Sequence, residues 1–152
     1  MNQKLADVLR KLNKLFWVLT FLAVAVLGLG YLLHRMNVPI SPPFGELRGW
    51  GIFLLIVSVV LGIALPILLR TLFNRNAVRA KKVGLAAFVD QQKRLVVIPI
   101  SAAYIAGVAY LLLVPNLYLY GSVLAGLYGI YSAIPSERKL KGELKFYGVA
   151  EE

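Results

Sequence analysis

Four stretches of this sequence, 16–33, 51–69, 95–114 and 117–134, contain no Asp, Glu, Lys or Arg. A helix rises about 1.5 Å per residue, so about 20 apolar residues cross the roughly 30 Å hydrocarbon core of a bilayer. Lipid offers no hydrogen-bond partner, and a helix pairs its own backbone groups where a lone strand cannot. A closed barrel is excluded because the apolar residues come in runs and do not alternate. The expected fold is an all-α membrane protein, a single domain of four transmembrane helices arranged as two antiparallel hairpins. Composition agrees: 59% of residues are hydrophobic and 16% charged, against about 45–50% and about 25% in soluble domains.

A net charge of +10 would point to nucleic acid in a soluble protein. Its distribution points elsewhere. Lys4, Arg10, Lys11 and Lys14 precede the first run; Arg70, Arg75, Arg79, Lys81, Lys82, Lys93 and Arg94 separate the second from the third; Arg138, Lys139, Lys141 and Lys145 follow the fourth. Only Arg35 and Arg48 fall in the remaining connections. This is the positive-inside pattern, which implies that both termini are cytoplasmic. The external loop is then 34–50, the cytoplasmic loop 70–94 and the cytoplasmic tail 135–152. The cations set orientation and meet anionic headgroups, at about 1 kcal/mol each near the surface. Arg75, Arg79, Lys81, Lys82, Lys93 and Arg94 are the expected lipid contacts, and nucleic acid is not an expected partner. Cysteine is absent, which removes disulfides and thiol chemistry and, with the compact loops, leans toward a prokaryotic inner membrane. The first run is long for a signal peptide and leads through Gly28 and Gly30 to His34 and Arg35 without a small-residue cleavage site, so its retention is expected.

Amphipathic segments flank the runs. Leu5, Val8, Leu9, Leu12 and Leu15 recur at helical spacing among cations, which predicts a short helix that lies in the inner interface and continues into the first run, with Phe16 and Trp17 as an aromatic anchor. Within 71–94, Val83, Leu85, Phe88 and Val89 predict a surface helix bent at Gly84, acting as lipid anchor or docking surface. Ser136 is a plausible N-cap for a last short helix carrying Leu140 and Leu144. Pro39, Pro42 and Pro43 oppose a helix in the external loop, and Trp50 marks the membrane surface again. Pro66 and Pro99 lie about one turn inside their runs, where kinks would open a cytoplasm-facing vestibule.

Pro115 and Asn116 leave room only for a tight turn between the last two runs. Small residues recur there at four-residue spacing: Ala102, Ala106, Gly107, Gly121, Ala125 and Gly129 form a helix-packing or partner interface. Ser101, Tyr104, Ser122 and Tyr128 form a candidate polar seam whose hydroxyls need each other or a backbone carbonyl. At an offset of 79, Ala23, Gly28, Tyr31, Leu32 and Leu33 match Ala102, Gly107, Tyr110, Leu111 and Leu112, a weak parallel echo.

All seven acids lie outside the four runs, which argues against proton coupling through a membrane carboxylate. His34 is the single histidine, too few for paired haem ligands or a zinc site. No nucleophile elbow, phosphate loop or dinucleotide fingerprint is present. No cofactor, metal or catalysis is expected. The leading reading is a small integral membrane subunit or accessory protein that packs against a partner or lipid, or self-associates. The alternative is a homo-oligomeric channel or carrier for a lipid, small solute or ion; a membrane enzyme ranks third.

Overall fold

A computed structural model describes residues 3–36, 46–80 and 83–147. Among the described residues every regular element is helical: α1 (Gln3–Arg35), α2 (Leu47–Val59), a π-helical turn (Val60–Ala64), α3 (Leu65–Ala80), α4 (Leu85–Leu111), α5 (Asn116–Ala133) and α6 (Glu137–Tyr147). Three helical stretches are long and apolar enough to cross a membrane: Ala6–Leu33, Leu47–Ala77 and Leu85–Leu111. A fourth is reached if α5 and α6, bent by 69° where they meet, count as one span. The chain is therefore a multi-pass membrane protein. Helix α5 is uncharged, but Tyr118, Tyr120, Tyr128, Tyr131 and its glycines lower its hydropathy. The bend after it has a local cause. Ile134 sits at φ −55° and ψ 116°, the extended region to which a following proline confines a residue.

Helix α4 is the centre, with half of its apolar window buried against 17% and 22% for the other two spans. Helix α1 packs along it in parallel, Val26 against Gly107 and Gly30 against Tyr110. The rings of Tyr31 and Tyr110, which correspond in the offset-79 echo, meet edge to face at 6.4 Å. Helix α5 runs back along α4, with Gly126 against Ala103 and Gly129 against the Pro99 carbonyl. Helix α2 lies against α5, with Gly51 on Tyr118 and Leu55 on Gly121. The main neighbour of α1 is thus α4, not α2.

Two apolar cores result. The larger joins Leu12 and Phe16 of α1, Val83, Phe88, Val96 and Ile100 on or beside α4, and Leu140 of α6, with Phe73 and Tyr147 at its edge. It lies at the end of the molecule that carries the basic residues. The smaller, at the opposite end, joins Leu54, Ala109, Val114 and Leu119.

Several local expectations are revised. The amphipathic segment before Phe16 runs into the first span, as the start of the 33-residue α1, but its Leu12 and Phe16 are covered by protein. Trp17 beside them remains exposed. The surface helix expected within 71–94 is divided between an extension of α3 and the first turns of α4, with Gly84 standing before α4 as its N-cap. Pro39, Pro42 and Pro43 lie outside the described residues. The third run ends at Leu111, not at Val114. Leu113 N–H donates to the Tyr110 carbonyl and Val114 N–H to that of Ala109, a Schellman cap. Its left-handed position, usually glycine, is Leu113 at φ 52°.

Pro66 is preceded by the π turn, which widens the helix there. Leu65 N–H reaches back five residues to the Val60 carbonyl. Proline has no N–H and its ring clashes with the carbonyl four residues earlier, here that of Gly62; the wider turn accommodates it. Gly62 meets α5 and α4 so closely that a Cβ there would lie 2.7 Å from the Ala125 oxygen and 3.2 Å from the Ala102 Cβ.

Candidate functional site

Residues far apart in sequence meet at the basic end in a polar layer. Gln91 and Gln92 are buried on α4, just before the apolar run. The Gln91 amide donates to the Leu69 carbonyl at 3.2 Å, and the Gln92 amide to the Glu143 carboxylate of α6. Glu143 also faces Arg70 of α3 at 3.8 Å. The Tyr147 hydroxyl donates to the Asn74 side-chain oxygen, and the Lys139 ammonium donates to the Ser132 carbonyl at 3.2 Å. A buried amide without a partner would cost about 1–3 kcal/mol, so these bonds hold α3, α4 and α6 in one arrangement.

The layer is one electrostatic unit. Burial first, then repulsion from Arg70, lowers the Lys139 pKa, while Glu143 works against the shift. Burial and the Glu143 charge push the Tyr147 phenol up, and Arg70 pulls the other way. Arg70 and Lys139 therefore share one carboxylate.

Beside this layer lies a cleft of about 70 Å³ lined by Gly62, Ile63, Pro66, Ile67, Arg70, Leu95, Pro99, Tyr128 and Ser132. Both prolines expected to open a vestibule line it. Pro99 cannot donate to the carbonyl of Leu95, nor Pro66 to that of Gly62, because neither has an N–H. Ser132 donates to its own helix, to the Gly129 carbonyl at 2.9 Å.

The residues singled out in the sequence fall into three groups. Ala102, Ala106, Gly107, Ala125 and Gly129 are buried inside this chain, and Gly121 meets Leu55; the ladder packs its own helices. Of the polar seam, Tyr104 donates to the Leu19 carbonyl of α1 at 2.9 Å and Ser101 to the Ile98 carbonyl of its own helix at 2.6 Å. The Ser122 hydroxyl is buried without a partner among the described residues, as are those of Thr20 and Ser58. Tyr128 is 48% exposed and faces the cleft. The four belong to different interfaces, and no hydrogen bond joins them.

Among the cations, Arg75, Lys93 and Arg94 are exposed, with Arg94 paired to Asp90 at 2.9 Å. Arg79 lies in α3 without a described side chain, and Lys81 and Lys82 lie outside the described residues. Sequence reasoning passed over Gln91, Gln92, Asn74, Glu143 and Tyr147. The available signal was two adjacent glutamines one helical turn before an uncharged run. Among the described residues no group of three His, Cys, Asp or Glu side chains could hold a metal ion.

Compared with protein-family models, characterised proteins and solved structures, the chain matches none.

Proposed function

We propose that this chain is a small accessory subunit of a prokaryotic inner membrane, acting without catalysis by binding a partner protein or lipid at its basic end. In this reading α5 makes the fourth crossing alone, successive crossings run in opposite directions with α4 and α5 as a packed antiparallel hairpin, and both termini are cytoplasmic. The partition of cations supports the orientation, since the connections carrying most of them share one end. The absence of acids from the apolar runs, of cysteine, and of any histidine beyond His34 supports a non-catalytic role.

The observation that carries the functional reading is a contrast between two surfaces. The small-residue ladder is used up in internal packing, whereas Arg75, Lys93, Arg138, Lys141 and Lys145 stand exposed around a folded layer. A partner therefore meets a cationic, structured surface, and the complementary chemistry is an acidic protein segment or anionic headgroups.

The test is extraction of the tagged chain from native membranes in mild detergent, followed by mass spectrometry of what co-isolates. A stoichiometric partner that is lost from an Arg75→Glu, Lys93→Glu, Lys145→Glu variant supports the reading. A solitary monomer at every protein concentration overturns the subunit role. Reporter tags before Phe16 and after Ile134 found on opposite membrane faces overturn the orientation.

A further inference from the structure

The cleft at the two prolines has a chemistry that internal packing leaves unsatisfied. We infer that it binds the phosphate of an anionic phospholipid from the leaflet at the basic end, with the Arg70 guanidinium as main ligand and the Tyr128 hydroxyl beside it. Arg70 is the first charge after the apolar run 51–69, which sets it where hydrocarbon gives way to headgroups. Its side chain is 44% exposed and its approach to Glu143 is 3.8 Å. That is too long for a hydrogen bond, so its donors are free to form the paired bonds that a phosphate accepts.

Charge balance points the same way. Among the described residues, Glu143 is the carboxylate that Arg70 and Lys139 share, and an anion in the cleft would supply further negative charge. The cleft has room for a headgroup phosphate but not for a whole lipid. Ile67, 58% exposed at its rim, continues it as an apolar surface for an acyl chain. The inference rests on the proposed orientation only in naming the leaflet; the site itself requires just a bilayer-spanning chain.

The test is native mass spectrometry of the full chain in detergent, titrated with phosphatidylglycerol, phosphatidylcholine and inorganic phosphate. Phosphatidylglycerol is expected to bind well above phosphatidylcholine, and Arg70→Gln to weaken it about tenfold, as loss of a charge-assisted pair of bonds implies. Glu143→Gln, which keeps an acceptor for Gln92 but removes the internal anion, is expected to tighten binding. An Arg35→Gln, Arg48→Gln variant, at exposed cations away from the basic end, is expected to bind like wild type. Indifference to both Arg70→Gln and Glu143→Gln overturns the site. Displacement of the lipid by equimolar inorganic phosphate overturns the lipid as ligand. Because binding is read in detergent, where no leaflet exists, its failure counts against this site and leaves the orientation to the reporter tags.

Discussion

Replacing Gly129 by alanine tests the contact on which the cleft and the α4–α5 packing both depend. A Cβ at this position would lie 2.2 Å from the Pro99 carbonyl oxygen and 3.0 Å from its carbon, where ordinary contact begins at 3.4 Å. The obstacle is backbone, so it cannot swing aside as the tip of a side chain would. Relief requires α5 to move away from α4, and Gly126 rests on Ala103 one turn earlier along the same seam. Overpacking of this kind costs about 1–3 kcal/mol, and the better helix propensity of alanine returns up to about 1 kcal/mol. The net expectation is a loss of about 1–2 kcal/mol, or roughly 2–8 °C in melting temperature for a chain of this size. Gly28→Ala is the control, because nothing lies within 4 Å of a Cβ there. It should be neutral or gain up to about 1 kcal/mol. The assay is thermal unfolding in one detergent followed by far-UV circular dichroism, with size-exclusion chromatography to verify a single species. If Gly129→Ala melts with or above Gly28→Ala, the helices do not approach as described and the argument fails.

Two further outcomes can be measured on the same footing. Leu113 holds a left-handed conformation at φ 52° that costs a branched residue about 1–2 kcal/mol. Leu113→Gly should therefore raise stability by about 0.5–1 kcal/mol after the entropy that glycine adds to the unfolded chain; unchanged or lower melting would contradict the cap. The Tyr147 phenol is raised from 10.0 by burial and by Glu143. A folded-state value above the unfolded one means stability that is complete below pH 10.0 and declines as pH rises through the folded value. The melting difference between wild type and Tyr147→Phe should be level up to that point and shrink beyond it. A difference that stays level at higher pH would show that the phenol is not buried as described.

The apolar runs were legible because an uncharged stretch of bilayer length has few other uses, and α1, α2–α3 and α4 follow from them directly. Periodicity around Leu12 and Leu140 was legible too, but it says only that a face is apolar and not what covers it. Lipid was the expected cover; Phe88 and other side chains at the basic end are what the structure supplies. Nor could the site be read. The Gln92–Glu143 and Asn74–Tyr147 contacts join residues 51 and 73 positions apart, and each residue alone looks like ordinary solvated polarity. Leu113 carries no signal for a left-handed turn, since glycine is the residue that announces one. Pro66 announced a distortion, while the π turn that absorbs it depends on how closely Gly62 must approach Ala125.

These successes and misses share a cause in the two solvents that the chain meets. Outside hydrocarbon the hydrophobic effect rewards large buried side chains, and the basic end buries Phe88 and Leu140 almost completely. Within the bilayer that drive is absent, and helices associate through close packing of small residues; accordingly Ala102, Ala103, Ala106 and Ala109 are fully buried along α4, with Gly126 and Gly129 facing it. Arg70, Tyr128 and Ser132 line the cleft beside the polar layer, at the end of the close-packed helices. A polar cleft is easiest to keep open at that level, because water and headgroups can reach a guanidinium there, and packing need not close over it.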